Sequence, residues 1–205
     1  AVALVAAAHP AAAATLIGVE EAMALAFPGA AIERDTIFLT EEARAAAEAA
    51  AGTSIAGAMV TRFVARWGSE LIGYGYLDTH RVRTLPESLL VMIDAAGAVV
   101  RVEVVAFREP LEYLPPGGWY RQFDGETLRE DLALKRAIRP ITGATLTARS
   151  ATDAVRRVLA IHRSATTYNK SQTEVGLIEV RRAEDSPPHA VAHGLWRYSP
   201  TEHQN

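Results

Sequence analysis

The sequence predicts an α+β fold, an antiparallel β-meander packed by helices. Three observations predict it. Strand-like runs crowd between residues 58 and 107, a hairpin signal (Asp94-Ala95-Ala96-Gly97) joins two of them, and helical spacing is confined to the flanking segments. Short loops leave no room for the crossovers that parallel strands need. Helices set apart from the strands along the chain then cover one face of the sheet. With 205 residues, 49% of them hydrophobic, the chain can build one domain with a proper core and carry tails besides.

The elements follow in order. Val19 to Ala26 reads as a short amphipathic helix ended by Phe27-Pro28-Gly29, since Pro cannot continue a helix and Gly suits the exit. Ala31 to Leu39 is extended. Thr40 caps an Ala-rich helix through Ala51, with Glu41 and Glu42 in its first turn and Gly52 at its stop. The strand-like runs are Ala58–Trp67, Leu71–Leu77, Ser88–Ile93 and Ala98–Phe107. Gly73 and Gly75 sit inside the second run, where glycine marks either a bulge or a close approach of backbone or ligand. The pair lacks the third glycine and the helix of a dinucleotide fingerprint.

After Phe107 the chain is rich in aromatics and turn residues. Pro115-Pro116-Gly117-Gly118 fixes a turn that either presents Tyr113 and Trp119 to one site or leaves them, with Phe123, as core or lid aromatics. Leu128 to Ile138 is a short polar helix or an irregular segment. A second amphipathic helix runs from Ala148 to about Arg163, with Thr147 as its N-cap, Ala151, Val155, Val158, Leu159 and His162 at helical spacing, and Asp153 paired with Arg157. Residues 164–205 are more polar and carry Pro187-Pro188. Their one strand candidate is Thr173–Val180, in an extension that packs on the domain or docks a partner.

Composition narrows the function. The net charge of −3 argues against a nucleic-acid binder. The absence of cysteine excludes disulfides, thiolate iron–sulfur clusters and Cys-attached haem, so redox chemistry would rest on an organic cofactor. Residues 1–14 read either as the tail of a secretory signal, with Ala-x-Ala cleavage candidates, or as an Ala-rich helical lead-in. No run of about 18 apolar residues offers a transmembrane span. His189 and His193 have i, i+4 spacing but no acidic ligand beside them, so no metal site is expected. Gly52 to Gly57 lacks the spacing of a hydrolase elbow, and nothing in the sequence assembles Asp78, His80 and a distant Ser into a triad, so no catalytic residue is assigned.

The stretch Pro140-Ile141-Thr142-Gly143-Ala144-Thr145-Leu146-Thr147 is a tight turn entering a helix. Thr145 therefore sits where unpaired N–H groups and the helix dipole favour a phosphate. Thr142-Gly143-Ala144-Thr145 also resembles the [Ser/Thr]-Gly-Ala-Thr motif of the FMN-binding domain family, which includes flavin-carrying subunits of the sodium-pumping NADH:quinone reductase and of Rnf complexes. The likeness extends over residues 19–162, through AFPGA, GYGY, MIDAAGAVVRVEVVAFRE and RQFDGETL. Two departures stand out: Arg139 occupies the position, six residues before the modified Thr, where the family usually has Asp, and the Thr-Pro-Gly-Leu-Gly sequence of the respiratory members is absent.

The resemblance implies a domain over residues 15–163 that carries FMN covalently, through a phosphoester to Thr145 formed by a flavin transferase. It implies a phosphate turn of Thr142, Gly143, Ala144 and Thr147, with Arg149 as a phosphate or pyrimidine neighbour. A flavin-facing loop would span Glu109 to Trp119, with Tyr113 and Trp119 against the ring. The function so implied is extracytoplasmic, periplasmic electron transfer with a membrane-bound or periplasmic redox partner. The alternatives are a cofactor-free binding or assembly module of the same fold and an FMN-dependent reductase.

Overall fold

A computed structural model describes residues 14–184, with Ala14, Thr15 and those beyond Ala165 described by their backbone alone. Most of the Ala-rich leader, Pro187-Pro188 and the His189/His193 pair lie outside the described residues. The chain divides into two compact units, Ala1–Thr167 and Tyr168–Asn205.

In the first unit β1 (Ala14–Thr15) leads to α1 (Val19–Ala26), β2 (Ala31–Phe38), α2 (Glu41–Ala51), β3 (Met59–Trp67), β4 (Glu70–Arg81), β5 (Pro86–Asp94) and β6 (Val99–Phe107). A short helix, α3 (Gly117–Tyr120), follows between two 3-10 turns, and α4 (Thr145–Glu184) is the final helix described. Strands β2 to β6 form an antiparallel meander, with the two-residue β1 added outside β6, so the sheet order is β1-β6-β5-β4-β3-β2. The fold is α+β, as composition and spacing predict.

Helices lie on both faces, not on one as expected. Tyr76, Leu89, Val91 and Ile93 pack with Ala151, Val155 and Val158 of α4. On the other face, Leu90 and Met92 pack with Met23 and Phe27 of the α1 segment and with Ala65. Strand β5, next to β6 and β4, is thus buried on alternate sides along its length, which is why Leu89 to Ile93 reads as a continuous apolar run.

The two glycines of β4 are explained by contact with α1. A Cβ on Gly73 would lie 2.5 Å from the Phe27 ring and 2.6 Å from the Ile93 carbonyl oxygen, and one on Gly75 would lie 2.4 Å from the Met23 sulfur. The register steps from Ala65–Gly73 to Arg66–Leu71, which leaves Ile72 as a bulge in β4 beside Gly73. The bulge adjoins Gly73 alone, and the close approach is made mainly by side chains of the α1 segment, with the Ile93 carbonyl the one backbone group, at Gly73.

Helix ends follow local chemistry. The Thr40 hydroxyl accepts the Ala43 N–H at 3.1 Å, and Gly52 takes the left-handed conformation (φ 68°) at the exit of α2. At α4 the expectations fail at both ends. The helix starts at Thr145, not after a Thr147 cap, and Thr173–Val180 lies within it rather than in a strand. No Pro or Gly intervenes between Arg163 and Gly176 to stop the helix, and Val175 and Ile178 have helical spacing while Val175 and Leu177 also fit strand alternation. The segment 128–138 is irregular.

Candidate functional site

The turn into α4 positions Thr145. Gly143 has φ 85°, a left-handed conformation that glycine adopts without strain. Ala144 is buried and anchors the turn, and its carbonyl accepts the Ala148 N–H at 2.9 Å, the first bond of the helix. Thr142, Gly143 and Thr145 are exposed. The Thr145 hydroxyl makes a bond to the Ile141 carbonyl at 3.2 Å, on the surface. The N–H groups of Thr145, Leu146 and Thr147 find no acceptor among the described residues, as the first turn of a helix dictates. Arg149 is exposed one turn further on.

Thr147 plays a different part from the cap expected of it. It is buried and donates its hydroxyl to the Tyr113 carbonyl at 2.6 Å, tying the helix to the aromatic loop. The Tyr113 ring carries the Arg83 guanidinium 5.1 Å from its centroid. Trp119 is 92% buried at 8% exposure, packs edge-on against Tyr120 and Phe123, and donates its indole N–H to the Arg139 carbonyl at 2.8 Å. The Gln122 side chain completes this grip: its oxygen accepts the Arg139 N–H at 2.9 Å and its amide donates to the Trp119 carbonyl at 3.0 Å. A broad, open cleft of about 750 Å³ lies here, lined by Pro116, Trp119, Arg121, Arg139, Pro140 and Ile141 among others. Trp119 therefore serves both as a core aromatic and as part of the cleft wall.

No family model matches the chain, and no curated protein matches it.

Glu109 does not line the cleft. One carboxylate oxygen accepts the N–H groups of Arg83, Thr84 and Leu85 at 3.2, 2.7 and 2.8 Å, which fixes the turn between β4 and β5. The Leu85 amide leads the interactions that hold this carboxyl below the usual carboxylate range. Its link to the site is indirect, through Arg83 on Tyr113.

A second constellation was not assembled from sequence. Arg157 of α4 binds Asp78 through two nitrogens, Nε to Oδ2 at 3.0 Å and an Nη to Oδ1 at 2.8 Å. It is this partner, not Asp153, that Arg157 holds. The His80 ring bridges Asp78 (2.8 Å) and Glu87 (3.0 Å), and the Tyr120 hydroxyl donates to Glu87 at 3.3 Å. Glu87 has no exposure at all. Burial pulls the His80 pKa down, but its hydrogen bonds to both carboxylates win and it stands raised. Burial pushes Asp78 up, yet its bonds to His80 and Arg157 hold it low. The row is an ionic lattice joining β4, β5, α3 and α4, with its Asp78 end in the wall of a groove of about 440 Å³. The Asp78-x-His80 spacing puts both side chains on one face of a strand; their partners, from elsewhere in the chain, were not readable.

Proposed function

We propose that this protein is an extracytoplasmic electron-transfer flavoprotein that carries FMN through a phosphoester to Thr145. The single observation that carries the reading is an exposed Thr145 hydroxyl on a helix N-terminus whose first three N–H groups meet no acceptor among the described residues, next to the turn that walls the cleft at Trp119. The residues present fit the group. Open amides and the positive end of α4 suit a phosphate, and the cleft volume falls within the range of organic-ligand sites.

Bound FMN would supply reversible electron uptake and release. The chain's own residues would do the rest. Thr145 would provide the ester oxygen. Gly143 and Ala144 shape the turn, and the amides of Thr145 to Thr147 would face the phosphate. Thr147, through Tyr113, fixes the aromatic loop against the helix, and Trp119 would give an apolar wall. Arg149 lies close enough along the helix to balance negative charge. Loading would need a flavin transferase, and the electrons a membrane-bound or periplasmic partner.

A second reading, a cofactor-free binding module of the same fold, is favoured by Arg139, which stands where the resembling family usually carries Asp. Intact mass after co-expression with a flavin transferase separates the two. A gain equal to FMN less water, absent in Thr145→Ala and retained in Thr145→Ser, supports the flavoprotein. An unmodified chain that stays colourless removes it.

A further inference from the structure

The segment 129–139 carries four cations against two acids, in a chain whose net charge is −3. Arg129 is already committed to Glu126 and Asp131, at 2.9 and 3.1 Å. Lys135, Arg136 and Arg139 are exposed and make no ion pair with any described residue. Arg121, also exposed, lines the same cleft as Arg139.

These side chains stand on a backbone that is already fixed. The Lys135 N–H bonds the Ile138 carbonyl at 2.8 Å, Arg136 bonds Ala133 at 3.1 Å, and Ala137 bonds Asp131 at 3.1 Å. Arg139 is gripped on its amide by Gln122 and on its carbonyl by Trp119. Ile138 is wholly buried and pins the loop to the core. Lys135 has φ 68° and is the one non-glycine residue in the left-handed region among the described residues. A side chain with a Cβ is disfavoured there, and such strain gathers at working surfaces. Arg121 and Arg139 line one cleft, and like charges there repel one another until an opposite charge arrives.

We propose that Arg121, Lys135, Arg136 and Arg139 form a docking surface for a carboxylate-rich face of a partner protein. Charge complementarity sets the sign of the partner. The apolar floor beside Arg121 and Arg139, with Pro116, Trp119, Pro140 and Ile141, has the make-up of a protein interface with a charged rim. The net negative charge of the whole chain opposes an anionic bilayer, which would spread over more of the molecule, whereas an acidic polypeptide segment or face meets only the patch. The surface does not depend on the flavin reading, because an unloaded, colourless chain presents the same cations.

The test uses the full chain and fluorescently labelled poly-L-glutamate, followed by anisotropy at about 20 mM and about 200 mM salt. Arg136→Glu with Arg139→Glu is compared with Arg34→Glu plus Arg66→Glu, an equal charge change on strands β2 and β3. The expected result is binding that weakens with salt, falls about tenfold or more in the ledge pair, and changes less than about twofold in the control pair. Should the ledge pair fail to fold by circular dichroism, Arg136→Gln with Arg139→Gln replaces it. Equal weakening in both pairs, or no binding at low salt, overturns the proposal. So does ledge-dependent binding to phosphatidylglycerol vesicles without binding to polyglutamate, which would make the surface a lipid site.

Discussion

Asp78 and Arg157 meet through two parallel hydrogen bonds, 3.0 and 2.8 Å long, although 79 residues separate them and each side chain is only 12% exposed. One element is a strand and the other is the helix that begins at Thr145, so this pair ties the helix to the sheet. Removing a single partner leaves a buried charge unmatched. Asp78→Ala should therefore cost about 3–5 kcal/mol, read from urea unfolding. A double-mutant cycle with Arg157→Met should recover part of that loss; strictly additive costs would deny the coupling.

His80 and His162 should pull stability in opposite directions with pH. The folded pKa of His80 is raised, so its contribution is present below its ordinary value of 6.5 and fades as pH climbs through the folded value. His162 is lowered, first by burial and then by Arg62, so its contribution is present above 6.5 and fades on acidification. In His80→Gln, urea midpoints should rise between about pH 5.5 and about pH 8; in His162→Gln they should fall. Identical slopes in the two variants would refute the assignment.

Tyr76 gives a related optical test. Its hydroxyl lies 3.0 Å from His162 Nδ1, and burial chiefly pushes its pKa up to about 12. A neutral imidazole then accepts from the phenol. Burial and Glu87 push Tyr120 up further still, so ultraviolet titration should show two tyrosines ionising after the exposed ones, and Tyr76→Phe should remove the earlier of these two late steps.

Gly73→Ala should destabilise by about 1–3 kcal/mol, because the new methyl meets both a ring and a backbone carbonyl. Gly75→Ala meets the end of a flexible Met23 side chain and should be milder. Adding Met23→Ala should rescue Gly75→Ala but not Gly73→Ala, as measured by thermal unfolding. Equal rescue of both would show that α1 shifts as a body.

Thr147→Val keeps the shape of the side chain and deletes its bond to Tyr113, leaving that carbonyl unmatched. A loss of about 1 kcal/mol is expected, with Thr147→Ser close to wild type. If the valine variant unfolds at the same urea concentration as wild type, the bond contributes nothing net.

Much of this architecture was legible because it rests on local rules. Thr40 and Gly52 bound α2, Phe27-Pro28-Gly29 ends α1, and the Asp94–Gly97 turn joins β5 to β6. What stayed hidden depends on distant partners. Thr147 looked like a cap because a capping threonine and one bonded to a remote carbonyl have the same local sequence. The His80 lattice draws on four elements, and Glu109 satisfies a turn some 25 residues upstream. The helix beyond Arg163 was missed for another reason: its apolar residues satisfy two periodicities, and no terminator decides between them. At the Thr145 turn the local residues place the hydroxyl, while the grip of Trp119 and Gln122 on Arg139 joins residues 17 to 20 positions apart.

That grip falls on the amide and carbonyl of residue 139 and leaves its guanidinium outside the arrangement. Every amino acid except proline offers the same two main-chain groups. Position 139 can thus change sign over evolutionary time while the neighbouring bend keeps its contour.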